Sequence, residues 1–197
     1  MINPLLVVIS GPSGVGKDAI LEQLRIHRPD FFYAVTATTR PMRANEKDGY
    51  DYIFLSKNQF LDLQAKDEFL EHAEVYGNHY GVPKKQIREA LNNATNAFVK
   101  IDVQGARTIK SLERNALLIF IAPPSLMELE RRLRERKADS AAQMDIRIAT
   151  AKHEMDQSSW FDSVVINDTD KLEDTVEQIL EIVASEQNRP ESQSIRL

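Results

Sequence analysis

A glycine-rich segment near the start of the chain has the composition and spacing of a phosphate-binding loop. Residues 11–17 read Gly-Pro-Ser-Gly-Val-Gly-Lys and match the pattern G-x-x-x-x-G-K. Glycines let such a backbone curl so that successive N–H groups point at phosphate oxygens, and the helix that follows adds its positive end. The alternative, a turn that binds nothing, is disfavoured by the apolar strand pattern before the loop and the helical pattern after it. We predict that ATP is held here by Gly11, Pro12, Ser13, Gly14, Val15, Gly16, Lys17 and Asp18.

Asp18 stands where the pattern continues with Ser or Thr, whose hydroxyl binds Mg²⁺. A carboxylate is also a hard-oxygen ligand for Mg²⁺, but it places negative charge beside the triphosphate. Asp18 therefore either holds the metal, directly or through water, or only complements the dipole at the start of the helix. The sequence leaves both interpretations open.

The loop needs a scaffold, and the hydrophobic pattern indicates which one. Apolar runs at residues 5–9, 97–101, 117–121 and 163–166 are typical of buried strands. Helical patterns cover residues 18–28, 84–91, 105–112, 125–157 and 172–183. This alternation predicts an α/β fold of the P-loop NTPase type, with a parallel sheet flanked by helices. Ligands of such sheets bind at the carboxyl ends of the strands, where the glycine loop, Asp102 and Asn167 fall.

The segment from residue 33 to about residue 80 is richer in Thr, Tyr, Phe and charged residues. Its pattern predicts short strands and turns, with one helix near residues 57–66. We expect a single domain over residues 1–197, with a core (1–33, 97–124 and 158–197), an inserted lobe (34–96) and a helical lid (125–157). The polar tail from Glu186 is expected to be frayed.

Several blocks of the chain resemble guanylate kinases, in the order found in that family. They extend from residue 6 to about residue 185, so the resemblance covers nearly the whole chain. It implies transfer of the γ-phosphoryl of ATP to GMP, with Mg²⁺ as cofactor. The blocks are residues 36–43 (Thr-Ala-Thr-Thr-Arg-Pro-Met-Arg), Glu46, residues 49–52, Phe54, Glu71, residues 76–81, residues 101–106, residues 123–125 and residues 166–168.

The resemblance also implies a role for individual residues. The GMP phosphate would be held by Arg40, Arg43, Tyr52 and Tyr80, and the guanine would be read by Glu71. Thr36 keeps the hydroxyl of a common serine at the GMP site, and Asp102 would lie near GMP and the water shell of the metal. Asn167 would contact the adenine of ATP. The catalytic residues would be Lys17, Arg40, Arg132, Arg136 and Arg147, and the candidate metal ligands are Asp18 and Asp102.

The chemistry of these residue types agrees with the implied roles. Arginine offers a planar fork of donors to phosphate. Guanine presents two adjacent donors, and one carboxylate such as that of Glu71 accepts both, whereas adenine offers no such pair. Each residue alone is weak support, because an isolated surface Arg or Glu is more often a solvated charge. The assembled order of the blocks favours the functional interpretation.

For Asp102 and for the lid arginines, a purely structural role is the alternative to the functional one. Asp102 ends an apolar strand and can instead cap the helix that follows. The lid arginines Arg132 and Arg136 share a helix face, and the alternative is that they pair with Glu128, Glu130 and Glu135. Phosphoryl transfer, however, requires positive charge near the γ-phosphate as it moves.

The chain departs from the family pattern at a few positions. Val82 stands where most relatives carry Ser or Thr beside the guanine, and Lys100 replaces an acidic residue two positions before Asp102. Together with Asp18, these residues resemble a variant found in organelle-type and some bacterial guanylate kinases.

Composition restricts the remaining possibilities. The net charge of −5 disfavours nucleic-acid binding, which needs an extended basic surface. The chain has no Cys, which excludes disulfides and thiolate metal sites. Because no stretch reaches 18 apolar residues and no signal peptide is evident, we expect no membrane association. A cytoplasmic location is expected, or an organelle interior if a transit peptide has been removed, with the protein a monomer or a weak homo-oligomer.

Two other functions fit the same fold. Some guanylate-kinase-like modules bind phosphopeptides without catalysis, but they generally lose parts of the phosphate loop, which is intact here. Kinases of another small phosphate ester, of the ribose bisphosphate type, also resemble this fold. Glu71, Tyr52 and the block at residues 36–43 favour GMP as the acceptor.

Overall fold

The strands and helices lie close to where the hydrophobic pattern predicts them. The computed structural model describes residues 3–75, 77–135 and 141–189. Arg136, predicted for the lid, lies outside these ranges, as do Tyr76 and the end of the tail. The strands within them are β1 (Leu6–Ser10), β2 (Phe32–Tyr33), β3 (Ala37–Thr38), β4 (Ile53–Phe54), β5 (Phe69–Val75), β6 (Asn78–Pro83), β7 (Ala97–Lys100), β8 (Leu117–Ala122) and β9 (Ser163–Ile166). The helices are α1 (Lys17–His27), α2 (Lys57–Ala65), α3 (Lys84–Asn92), α4 (Val103–Leu112), α5 (Leu126–Glu135), α6 (Ala141–Asp156) and α7 (Leu172–Gln187).

The larger sheet contains the buried strands predicted from the apolar runs. Its order is β2-β7-β1-β8-β9, and each neighbouring pair is parallel. Every residue of β1 and β8 is buried, which explains why these strands have continuous rather than alternating apolar sequences. The predicted parallel α/β fold is confirmed.

Helices cover both faces of this sheet. Successive residues of β1 point to opposite faces, so Val7 and Ile9 pack in one core with residues of α1, α5, α6 and α7. Leu6 and Val8 pack in the other core with residues of α3 and α4. The two cores fix the sheet from both sides, and α1 and α4 begin directly after the carboxyl ends of β1 and β7.

The second sheet comes from the polar segment of the sequence. Its order is β4-β3-β6-β5, with β3 antiparallel to β6 and parallel to β4. It has a small core of its own, in which the rings of Phe60 and Phe69 stack at 4.5 Å. Helix α2 packs there and begins at Ser56, whose side chain forms a capping box with Gln59. The division of the chain into core, lobe and lid stays a prediction.

The last helix is longer than the sequence pattern predicts. It continues past Val183 to Gln187, where frayed chain was expected. The Gln187 side chain donates a hydrogen bond to Asn96 Oδ1 (3.1 Å), which ties the last turn to the start of β7. Among the helices of the described ranges, none combines the length and the apolarity that crossing a membrane would require.

Candidate active site

The glycine loop joins β1 to α1 in a conformation that only glycine accepts easily. Gly11, Gly14 and Gly16 have φ angles of 140°, 88° and 103°. A Cβ atom at position 11 would lie 2.3 Å from the carbonyl oxygen of Ile121. Each loop glycine thus permits a close approach as well as a positive φ, as a backbone that wraps around phosphate requires.

Lys17 lies across this loop. Its ammonium donates hydrogen bonds to the carbonyl oxygens of Gly11 and, at 3.0 Å, of Pro12. Burial lowers the pKa of Lys17, and the carboxylates of Glu154 and Asp18 act in the opposite direction. The lysine is therefore held at the loop, in the position from which an ammonium can reach bound phosphates.

One cleft brings most of the predicted site residues together at the carboxyl edge of the larger sheet. The second sheet and helix α6 close its sides. The predicted residues that line it are Gly11, Ser13, Gly14, Val15, Gly16, Lys17, Asp18, Thr36, Arg40, Arg43, Tyr52, Glu71, Tyr80, Asp102 and Arg147. Pro12, Arg132 and Asn167 are not among the lining residues.

The predicted phosphate clamp gathers around Tyr52. The guanidinium carbon of Arg40 lies 5.3 Å from the centroid of the Tyr52 ring, and the Tyr80 ring meets the same ring edge-on at 6.1 Å. Glu46 accepts two hydrogen bonds from the Arg40 fork (2.7 and 3.0 Å) and one from the backbone N–H of Arg43 (2.7 Å). Glu46 therefore positions both arginines.

Glu71 is the most unusual carboxylate of the cleft. It lies on β5 directly after an irregularity in the pairing with β6, and such irregularities redirect side chains. It is 4% exposed, and its Oε2 atom has no hydrogen-bond partner among the described residues. Burial, together with the nearby charge of Asp102, raises the pKa of Glu71 to about 8. A ligand with two adjacent donors would satisfy this carboxylate.

The space for Glu71 depends on Gly105, which the sequence pattern predicts only as the start of a helix. A Cβ atom at Gly105 would lie 2.6 Å from Glu71 Oε2. Gly105 is in the first turn of α4, and its N–H donates to Asp102 Oδ1 at 2.7 Å. Asp102 therefore caps α4, which is the structural role considered for it from the sequence. It also lines the cleft.

Asp18 and Asp102 are the carboxylates considered for Mg²⁺. Both line the cleft, but Asp18 accepts a hydrogen bond from the ammonium of Lys100. Within the described residues, no group of three or more His, Cys, Asp or Glu side chains could hold a metal ion by itself. Magnesium in proteins often has only one or two carboxylate ligands and completes its shell with water and phosphate oxygens. The two aspartates fit a site of that kind.

Arg132 and Asn167 both contact the glycine loop at Val15. Arg132 donates to the carbonyl oxygens of Val15 (3.4 Å) and Asn167 (3.2 Å) and forms an ion pair with Glu128 (2.8 Å). The Asn167 amide donates to Val15 O (2.8 Å) and accepts from Thr175 (3.2 Å). The alternative pairing with Glu128 is thus realised for Arg132, and the contact of Asn167 with adenine stays a prediction.

Sequence reasoning did not assign five residues that line the cleft, which are Ala73, Val75, Lys100, Ile101 and Glu154. Glu154 is the acidic one among them. Glu154 on α6 accepts a hydrogen bond from the backbone N–H of Ser13 at 3.3 Å. Burial raises the pKa of Glu154, and Lys17 acts against that shift. Arg147 and Glu154 are seven residues apart, which puts them on one helix face, and this spacing was the available signal.

The parallel sheet, the loop between β1 and α1 and the cleft at the carboxyl edge define a P-loop phosphotransferase. A family model described as guanylate kinase matches residues 3–186. The chain belongs to the guanylate kinase family. The fold and the family expected from the sequence are thereby confirmed.

Individual relatives agree with the family match. The guanylate kinase of Carboxydothermus hydrogenoformans is 40% identical over 197 residues, which cover 100% of this chain and 96% of that relative. Guanylate kinase 2, chloroplastic/mitochondrial, of Oryza sativa subsp. japonica is 38% identical over 99% of this chain and 69% of its own length. The crystal structure of guanylate kinase from Anaplasma phagocytophilum matches with a TM-score of 0.78 at 33% identity, covering 95% of this chain and 88% of that one.

Proposed function

We propose that the cleft binds ATP along the glycine loop and GMP against the second sheet, so that the γ-phosphoryl passes directly between them. This is the reaction of a guanylate kinase, a nucleoside monophosphate kinase that gives ADP and GDP. The observation that carries the acceptor assignment is Glu71, a buried carboxylate with an unsatisfied oxygen in the cleft that also contains the phosphate loop. It has the chemistry that recognises the paired donors of guanine.

On the ATP side, the loop supplies backbone N–H groups and Lys17 supplies charge. The Lys17 ammonium is held by two loop carbonyl oxygens, so its position is set before it meets a phosphate. The loop is supported from behind by Arg132 and Asn167, which both bind the carbonyl oxygen of Val15. These contacts keep the loop N–H groups oriented, which lowers the cost of reorganisation during transfer.

On the acceptor side, Arg40, Arg43, Tyr52 and Tyr80 hold the 5′-phosphate and Glu71 holds the base. A phosphate dianion is already a nucleophile, so no general base is required. Catalysis then consists of positioning the two phosphates in line and neutralising the charge that develops. Lys17, Arg40 and Arg147 line the cleft and would provide that neutralisation. The lid arginines Arg132 and Arg136 would join them when the lid closes.

Asp18 and Asp102 would hold Mg²⁺ together with water and phosphate oxygens. When bound, the ion supplies charge stabilisation to the β- and γ-phosphate oxygens. The residues of the chain orient these phosphates through the loop and Lys17.

The organisation of the chain follows the same assignment. We infer a core of residues 1–33, 97–124 and 158–197, a GMP-binding lobe of residues 34–96 and a lid of residues 125–157. A closing lid would exclude water and limit ATP hydrolysis. We further propose a cytoplasmic or organelle-interior location and a monomer or weak homo-oligomer that binds neither nucleic acid nor membrane.

A comparison of acceptors tests the proposal. GMP, dGMP, IMP and AMP are assayed with Mg·ATP by coupled ADP release, and ribose bisphosphate is included as the competing acceptor. GMP is expected to have the highest kcat/KM. IMP lacks the 2-amino donor and should fall by about 10- to 100-fold, and AMP by about 1,000-fold or more, because buried polar groups of the site are left unpaired. Equal use of AMP and GMP, or preference for the ribose ester, would refute the assignment of Glu71.

A further inference from the structure

Lys100 brings to the cleft a positive charge that the roles above do not use. It is the last residue of β7, and its Cα is paired with that of Ile9 near the end of β1. Its side chain is 15% exposed and lines the cleft together with Arg40 and Tyr52. An ammonium group so far removed from solvent requires partners.

Two groups of the protein hold this ammonium. Lys100 donates a hydrogen bond to Asp18 Oδ1, and its Nζ lies 4.6 Å from the centroid of the Tyr52 ring. A carboxylate and the face of an aromatic ring are both partners of a cation, so the two contacts hold Lys100 in its charged form.

The two cations of the acceptor side share one aromatic ring. The Arg40 guanidinium carbon lies 5.3 Å from the centroid of the Tyr52 ring, and Lys100 Nζ lies 4.6 Å from the same point. Both cations therefore lie against the same side chain, on the acceptor side of the cleft. A phosphate bound at the Tyr52 hydroxyl would therefore lie within reach of both cations.

The contact with Asp18 is easily exchanged. The Asp18 side chain is 67% exposed, so water competes for its carboxylate and the ion pair is weak. A phosphate monoester carries close to two negative charges and three strong acceptor oxygens, which makes it the stronger partner. We propose that Lys100 is a phosphate-binding residue of the acceptor site, and that the 5′-phosphate of GMP replaces Asp18 as its partner. This inference rests on the proposed binding of GMP against the second sheet.

The pair also connects two departures noted in the sequence. Asp18 stands in place of Ser or Thr in the loop pattern, and Lys100 stands in place of an acidic residue. The two residues are 82 positions apart and in contact. Their charges are opposite, so Asp18 neutralises Lys100 when no phosphate is bound to Lys100.

Ligand binding without ATP tests the role of Lys100 separately from turnover. Lys100→Met keeps an unbranched side chain of similar length and removes the charge. GMP and guanosine, which lacks the phosphate, are titrated into wild type and variant by NMR and calorimetry. The Kd of GMP should rise about tenfold, as expected for loss of one charge-assisted hydrogen bond, and the Kd of guanosine should not change. Lys100→Arg should stay within about threefold of wild type for GMP, because arginine keeps the charge and the donors.

Two further variants make the outcome decisive. Lys110→Met removes a lysine that pairs with Asp162 and does not line the cleft, so it should leave both affinities unchanged. Asp18→Asn weakens the partner that competes with phosphate for Lys100, so it should tighten GMP binding about two- to fivefold. This measurement tests the proposal even if Lys100→Met does not fold.

Three results would overturn the proposal. Lys100→Met binding GMP like wild type would exclude a phosphate contact, and equal losses for GMP and guanosine would indicate a structural role. Failure of Asp18→Asn to tighten GMP binding would exclude the exchange. A wild-type protein that does not bind GMP at all would instead refute the proposed function, so the two failures are distinguishable.

Discussion

Glu71 should release a proton when guanine binds. Its pKa is raised to about 8, first by burial and then by the charge of Asp102. At pH 7, only about one Glu71 in eleven is therefore ionised. Because the carboxylate has to accept both guanine donors, binding selects the ionised form and releases about 0.9 proton per GMP at this pH. The affinity should rise about tenfold between pH 7 and pH 9.

Calorimetry in buffers of different ionisation enthalpy measures this proton. The phosphate of GMP also titrates, so Glu71→Gln is the control, since it keeps the shape of the side chain and has no titrating group. The difference between wild type and Glu71→Gln isolates the contribution of Glu71. Equal proton release in the two proteins at pH 7, or a GMP affinity of wild type that is flat from pH 6 to pH 9, would contradict the reasoning.

The same shift has a consequence for folding. The folded-state pKa of Glu71 is higher than its value of about 4.5 in the unfolded chain, so the folded state binds more protons between pH 4.5 and pH 8. This stabilisation is complete below pH 4.5 and is lost as the pH rises toward and through 8. From pH 6 to pH 8, wild type should lose about 2 kcal/mol relative to Glu71→Gln in denaturant unfolding.

Three further predictions test other parts of the structure. Gly105→Ala places a methyl group 2.6 Å from Glu71 Oε2 and should raise KM for GMP about tenfold with KM for ATP unchanged in steady-state assays; an unchanged KM for GMP would exclude this contact. Lys17→Met should lower kcat by about 1,000-fold or more with a native circular dichroism spectrum, and near-normal turnover would remove Lys17 from the mechanism. Leu118→Ala, at a fully buried position of β8, should cost about 2–5 kcal/mol in chemical denaturation, whereas Leu112→Ala, at a position 61% exposed, should cost under about 1 kcal/mol; similar losses in both would contradict the core assignment.

The local pattern of the sequence predicts the elements because the signals are themselves local. The continuous apolar runs of β1 and β8 follow from burial on both faces, and the glycine loop is recognised by its spacing. Strand order is different, because β7 lies beside β1 although about 90 residues separate them in the chain. The antiparallel pairing of β3 with β6 likewise depends on packing between distant segments, which periodicity does not encode.

In the candidate site too, the sequence predicts some features and leaves others to the packing of distant segments. Residue types and order predicted which side chains reach the cleft, as with Arg40 and Glu71. The partners of those side chains were not predicted, because the contact of Asp18 with Lys100 spans 82 residues and that of Ser13 with Glu154 spans 141. Such contacts are set by how α6 and β7 pack against the loop.

The partners of the cleft residues predict that selectivity lies at the base and not at the phosphate. Three cations proposed to bind phosphate have a protein partner: Lys17 has loop carbonyl oxygens, Arg40 has Glu46 and Lys100 has Asp18. Any phosphate that enters exchanges one partner for another, so these contacts give affinity with little selectivity. Glu71 Oε2 has no such partner among the described residues, and a base without paired donors leaves it buried and unsatisfied. Because specificity is a difference between affinities, we expect the selection of guanine to depend on this acceptor of the cleft, which the described residues leave unsatisfied.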